Sequence, residues 1–216
     1  MGDLVIIGAG GSSRDIIDLV GDINRHASDD GQRWEIRGLL DDDQSKLGQI
    51  ICGVPVIGSI SKAADVQAHL VVGIASHRNR RVRKAVVERL ALDPARYATL
   101  VHPSASVSSW ARIGAGTVVL QNVVIGPQVT LGRHVLISAG VTIGHDTAIS
   151  DYVSTASQVG IAGGVVIRES VYIGIGACLR EGVEVGEGSL IGMGSVVTRN
   201  VEAGRTVVGN PARRHS

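Results

Sequence analysis

The chain has 216 residues, enough for one large domain or two modest ones around a real core. Its 21 basic and 20 acidic residues leave a formal net charge of +1, which removes any bulk electrostatic case for nucleic acid or an acidic membrane surface. There are 29 glycines and no phenylalanine, a composition that points to a core too narrow for aromatic filler.

The opening MGDLVIIGAGG lacks a basic n-region and a cleavable apolar stretch, and no apolar run is long enough to span a bilayer. Cys52 and Cys178 form neither a metal spacing nor a disulfide framework, which suits a reducing compartment. A cytoplasmic protein without membrane insertion is expected.

Residues 4–8 read as a buried strand, followed by the turn Gly8-Ala9-Gly10-Gly11 and a helix near 13–25 with Ile16, Ile17, Leu19, Val20 and Ile23 inward. A second strand through 35–40 stops at Asp41-Asp42-Asp43. Short strands follow near 54–57 and 69–75, then a basic helix near 79–91 with Val82, Val86, Val87 and Leu90. This alternation implies a small Rossmann-like α/β unit over residues 1–97, with Pro94 and His102-Pro103 bracketing its end.

Glycines at a strand-to-helix turn let backbone N–H groups approach a phosphate at the helix N-terminus. The third glycine of G-x-G-x-x-G falls on Ser13, however, and about 95 residues is short for two mononucleotide halves. The turn is thus open between a structural role, a nucleotide or nucleotide-sugar pyrophosphate, and NAD. The triple Asp is open between ribose or base recognition and a solvated turn.

From Val101 to Val197 every sixth residue is Val, Ile or Leu, with Thr155 the one exception. Four residues after each step, from Ala105 to Ser195, the side chain is always Ala, Val, Ser or Thr. A β-sandwich does not hold a strict period of six. A left-handed parallel β-helix does: each hexapeptide makes a short strand and a corner, three close an 18-residue coil, and one branched aliphatic per face fills a narrow prism. Residues 98–216 are assigned to it. Glycine directly after the aliphatic position, as at Gly114, Gly126, Gly132, Gly174 and Gly192, is expected to free the backbone near the corners. The repeat and its ending Gly209-Asn210-Pro211-Ala212-Arg213 resemble the hexapeptide-repeat acyltransferases, which implies a homotrimer with acyl-CoA held between neighbouring prisms.

Within this apolar rhythm, Val141-Thr-Ile-Gly-His-Asp-Thr-Ala-Ile149 places an imidazole beside a carboxylate. His145 stands two residues after Ile143, near a corner, and one 18-residue step lands on Gly163. Acyl transfer from a thioester needs a base for the acceptor's proton and a donor for the oxyanion. His145 suits the first role, the Gly163 backbone N–H the second, and Asp146 would fix the imidazole tautomer if the corner bends the chain. The alternative is a solvated His-Asp pair. His102 and His134 read as structural or solvated.

On a second set of corners, Ile175 and Met193 are one coil apart and flanked by Gly174, Gly176, Gly192 and Gly194, a smooth channel for a pantetheine arm. Pro211 and Arg213 belong to a tail that supplies positive charge for CoA phosphates, caps the last coil, or does both.

GAGGSSRDIIDLV, GLLDDD, VVGIASHRNRRVRKAV and LVHPSASVS together resemble the sugar acetyltransferases of the sialic acid O-acetyltransferase and bacillosamine-type N-acetyltransferase family. The resemblance spans nearly the whole chain. It implies transfer of an acetyl group from acetyl-CoA, with no metal, to an amino or hydroxyl group of a nucleotide sugar bound by Gly8, Gly10, Gly11, Ser12, Asp41, Asp42 and Arg80. It also implies His145 as base and acetyl-CoA contacts at Gly163, Gly174, Ile175, Gly176, Gly192 and Met193. Five positions depart from the family: Ser12 and Ser13 stand where a small residue or a His-Gly pair is usual, Ala75 where the later strand ends in glycine, and Ser138 and Ser154 where Asn and a second His are usual. One imidazole is therefore expected to suffice, with an amine acceptor favoured. Two rival readings are a non-catalytic nucleotide-sugar-sensing scaffold and a metal-bearing β-helix resembling the gamma carbonic anhydrases, though no close histidine triplet is visible.

Overall fold

The computed structural model describes residues 1–29 and 31–215. Its front part is a five-stranded sheet in the order β3-β4-β2-β1-β5, with β1 Gly2–Ile7, β2 Trp34–Leu40, β3 Ile50–Ile51, β4 Val54–Gly58 and β5 His69–Val72. All pairings are parallel except β3 with β4. Helix α1 (Gly11–His26) buries Ile16, Leu19 and Val20, and α2 (Val82–Leu90) buries Val86 and Arg83. Strand β5 ends three residues before the expected 75. Gly73 passes so close to Ser13 that a Cβ there would lie 2.5 Å from Ser13 Oγ, and that hydroxyl ties the carbonyls of Gly8 and Gly73 together at 2.8 and 3.1 Å. The close-approach glycine of this strand end is Gly73, so Ala75 leaves no gap.

Tyr97 still bridges to Leu70, whereas Leu100 already pairs with Val118. From there the chain is a three-sided parallel β-helix. One face runs through Val101, Val119, Ile137, Thr155, Ile173, Ile191 and Val207, a second through Val107, Ile125, Ile143, Ile161, Leu179 and Val197, and a third through Ile113, Leu131, Ile149, Ile167 and Val185. These aliphatics and the small residues between them form one continuous core. Thr155 interrupts the aliphatic ladder without an orphaned hydroxyl, because its Oγ1 accepts from Ser138 N–H and faces the Leu136 carbonyl.

The glycines after the aliphatic positions have a different reason from the expected one. A Cβ on Gly114, Gly144 or Gly174 would come within 2.5–2.6 Å of the backbone of the next coil, so these positions need close approach rather than unusual φ. From residue 116 to residue 194, the left-handed residue of each corner comes two residues later. It is glycine at 116, 140, 164, 176, 182, 188 and 194, but Asn122, Gln128, His134, Asp146, Tyr152, Gln158 and Ser170 also adopt it.

The front part covers the first face. Leu100, Val118, Leu120 and Leu136 join Ile16, Leu19 and Ala9 in one apolar cluster. Along the edge between the third and first faces, α2 lies antiparallel to the coils: Arg81 reaches Glu187 at 3.0 Å and Lys84 reaches Glu169 at 2.5 Å. Three helical residues advance about 4.5 Å and one coil about 4.8 Å, so successive basic residues meet successive acids.

Beneath α2, the His134 ring packs edge-on to Tyr97 and parallel to Tyr152. Burial, aided by the charges of Arg83 and Arg133, pushes its imidazole down to about 4. The folded state thus prefers the neutral ring. That preference is fully present above the unfolded value near 6.5 and is lost as pH falls toward 4, a difference of about 3 kcal/mol. Urea midpoints at pH 7 and pH 4.5 should show a smaller acid loss in His134→Asn, a residue that tolerates the left-handed backbone. Equal losses in both proteins would exclude His134 as the acid-sensitive group.

Candidate active site

His145 and Asp146 occupy the edge between the second and third faces. Asp146 has φ +58°, and this bend brings two adjacent side chains to the same side, with His145 Nδ1 and Asp146 Oδ2 2.7 Å apart. A ring whose Nδ1 carries the proton donates it to the carboxylate and leaves Nε2 free as a base. The imidazole lies over Gly163 of the next coil: a Cβ there would sit 2.7 Å from both Cε1 and Nε2. Both side chains are more than three-fifths exposed.

The edge between the first and second faces carries Ile175 and Met193, which are 50% and 78% exposed. Gly176 and Gly194 are left-handed corners with nothing within 4 Å of an added Cβ. Gly174 and Gly192 do not line an open channel in the same sense: a Cβ on Gly174 would strike Met193 N at 2.6 Å, and one on Gly192 would strike Val208 at the same distance. Ser138 lies on this edge two coils nearer the N-terminus. The tail folds back on the last coil, Val207–Val208 pairing antiparallel with Arg213–Arg214 and Ala212 N–H reaching Val196. Arg199, Arg205, Arg213 and Arg214 border a cavity of 380 Å³ there.

The front cleft, 640 Å³, is lined by Gly8, Gly10, Gly11, Ser12, Asp41 and Asp42. Gly8 has φ +102°, and a Cβ would meet Ile74 at 2.7 Å, so only glycine fits. Asp41 is a clamp on the turn: one oxygen accepts from Ala9 N–H at 2.8 Å and Lys46 Nζ at 3.0 Å, the other from Asp43 N–H. Asp42 accepts from Arg89 at 2.8 Å and Ile60 N–H at 2.9 Å, and the Arg89 guanidinium holds its carboxyl below the usual range. Arg80 is a correction. It does not line the cleft, because its Nε donates to the Gly188 carbonyl at 2.7 Å and ties the loop to the solenoid.

The three histidines of the repeat sit on three different edges. His102 is buried, its Nε2 3.0 Å from Asp22 and its Nδ1 accepting from Ser104 N–H, and His134 is buried under α2, so both are structural. Among the described residues no His, Cys, Asp or Glu cluster has metal-binding geometry, and no helix is long and apolar enough to cross a membrane.

Residues 3–90 match the PglD N-terminal domain family, and residues 111–145 and 164–199 match the bacterial transferase hexapeptide family. No curated protein matches the chain at a significant level. Among solved structures, the acetyltransferase domain of PglB from Neisseria gonorrhoeae FA1090 is 30% identical over 100% of both chains, with a TM-score of 0.86. The chain belongs to this sugar acetyltransferase family. PerB from Caulobacter crescentus, solved with CoA and GDP-perosamine, is 25% identical over 100% of this chain and 98% of its own, with a TM-score of 0.85. WeeI from Acinetobacter baumannii AYE is also 25% identical, over 98% and 99%, with a TM-score of 0.80. The acetyltransferase is therefore an α/β unit followed by a left-handed parallel β-helix of hexapeptide repeats.

Sequence reasoning missed the cations of the acetyltransferase's cleft, Lys46 and Arg89, and its walls Ile60, Ile74, Asn79, Val82, Ala85 and Val86. A signal existed for the helix: Val82, Ala85, Val86 and Arg89 are spaced i, i+3, i+4, i+7 and share one face. Ser154, which fills the slot of the family's second His, is buried on the covered face, hydrogen-bonded to the Arg83 guanidinium. A histidine there would displace Arg83 before it displaced any ligand.

Proposed function

We propose that the protein transfers the acetyl group of acetyl-CoA to an amino group of a nucleotide-linked sugar, with His145 as general base. The observation that carries this reading is the imidazole on an open edge, oriented by Asp146 and lying over a residue with no side chain. His145 Nε2 takes the proton as the amine nitrogen bonds to the thioester carbonyl carbon, and the Gly163 N–H is the proposed partner of the oxyanion. When the C–S bond breaks, the imidazolium returns that proton to the CoA thiolate. PglB and PerB support acetyl-CoA and a nucleotide sugar as the ligand classes.

Residues 1–97 are proposed as the nucleotide-sugar domain. The N-terminus of α1 opens the cleft with Gly10 and Gly11, neither with an atom within 4 Å of an added Cβ, so a pyrophosphate could approach the backbone. Lys46 and Arg89 add positive charge. Residues 98–216 are proposed as the acyltransferase domain, with acetyl-CoA along Gly174, Ile175, Gly176, Gly192 and Met193 and the Pro211–Arg213 tail capping the end. The His145 edge is the one edge that does not border the covered face, and it is separated from the Ile175–Met193 edge by the whole second face. Side-by-side packing in a homotrimer would bring His145 of one protomer to the Ile175–Met193 edge of the next.

The test is acetyl-CoA turnover with UDP-, GDP- and dTDP-linked 4-amino sugars, beside sedimentation at working concentration. Acetylation of one series by a trimer is expected. Binding of both ligands without turnover would favour a sensing scaffold, and an active monomer would remove the inter-subunit site.

A further inference from the structure

The edge that carries His145 is asymmetric. On the C-terminal side its successive corners hold Gly163 and Gly164, then Glu181 and Gly182; on the N-terminal side they hold Pro127 and Gln128, then Ser109 and Trp110. Trp110 is 69% exposed, whereas the chain's other tryptophan, Trp34, is 8% exposed and packs edge-on to His69. Coils rise about 4.8 Å, which puts Trp110 roughly 10 Å along the edge from His145, on the side of the imidazole away from Gly163. An indole left this open in a chain with no phenylalanine has no partner in the core to explain it.

We propose that Trp110 is the platform on which the acceptor's sugar ring lies while its amine reaches His145. This rests on the nucleotide-sugar reading above and adds the direction of approach. The slender acyl arm fits the glycine side of the imidazole, and the nucleotide fits the cleft with its backbone N–H groups and cations. The sugar remains, and its chemistry matches an indole: C–H groups on one face of the ring pack against the aromatic surface, and an amine that arrives as ammonium is drawn to it by cation–π attraction before it loses one proton to water and attacks as the free amine. A tryptophan here would favour deoxy amino sugars, which present more apolar surface than fully hydroxylated ones.

Because the chain has two tryptophans and one is buried, emission in a Trp34→Phe background reports on Trp110. Adding the accepted nucleotide 4-amino sugar should shift and quench that emission, while the bare nucleoside diphosphate and CoA should leave it unchanged. Trp110→Ala should raise the acceptor KM about tenfold, equivalent to about 1.4 kcal/mol, with the KM for acetyl-CoA unchanged, and Trp110→Phe should recover most of the loss. If the wild type acetylates an acceptor and Trp110→Ala keeps its KM, the inference falls and the proposed function stands. If Trp110→Ala dissociates the oligomer, Trp110 is a subunit contact and the inference also falls. If the wild type acetylates no nucleotide amino sugar, the proposed function fails first and takes the inference with it.

Discussion

Replacing His145 by alanine is expected to lower kcat by about two to four powers of ten, the usual size of a general-base contribution, while acetyl-CoA binds with nearly unchanged affinity. The reason is geometric. The imidazole is more than three-fifths exposed and takes no part in the core, so its loss leaves the coil intact. A companion substitution separates position from chemistry. Gly163→Ala keeps the base but puts a methyl group 2.7 Å from Cε1 and Nε2. The ring is the free end of an exposed side chain, so it should swing aside rather than unfold the coil. A displacement of about 1 Å can cost on the order of a hundredfold. Single-turnover rates would measure both, with CoA titrations and circular dichroism as controls. Unchanged turnover in His145→Ala would end the base assignment. A Gly163→Ala enzyme at wild-type rate would show that the ring's place over that glycine is incidental.

How far the sequence reaches depends on which physical constraint writes each feature. The prism must be filled every six residues, so its three faces were legible from Val101 onward. The His145 pair was legible because polar residues stand out against that filler. Backbone conformation was not: Asn122, Gln128, His134, Asp146 and Tyr152 take the left-handed corner as glycines do, and side-chain identity does not announce it. The glycines after each aliphatic were misread for the same reason, since the need for coil-to-coil approach lies in the third dimension. In the front part, the turn and Asp41–Asp42 were readable. Choosing Arg89 over Arg80 required knowing where α2 begins, because starting at Val82 puts Arg89 on the cleft face and leaves Arg80 in the preceding loop, anchored to Gly188. No local pattern revealed Arg83, whose partners lie 9, 51 and 71 residues away.

Arg83 carries the second large expected effect, on stability. Its guanidinium is 3% exposed and has no carboxylate among its hydrogen-bond partners in the described residues; Nε donates to the Ile74 carbonyl at 2.8 Å, one terminal nitrogen to the His134 carbonyl at 2.6 Å, and the other to Ser154 Oγ. Burial lowers its pKa to about 10, so the charge persists at pH 7 but at a real cost. Two effects oppose each other when the side chain is removed. Relief of that burial is about 3 kcal/mol, the size of the pKa change. Against it stand three charge-assisted hydrogen bonds at about 1.5–3 kcal/mol each, whose loss strands two carbonyls and a hydroxyl in the joint. The second effect is larger, and Arg83→Met, which fills the space without donors, should destabilise by about 2–5 kcal/mol. Ser154→Ala should cost only about 1 kcal/mol, and the double mutant should cost less than the sum, since the two share one bond. The loss should also reach the ligand. Arg83 anchors the same helix whose Val82, Ala85, Val86 and Arg89 line the cleft, so Arg83→Met should raise the KM for the nucleotide sugar more than that for acetyl-CoA. Denaturant midpoints for the four proteins decide the matter: an Arg83→Met midpoint close to wild type would mean that the buried guanidinium is tolerated rather than required.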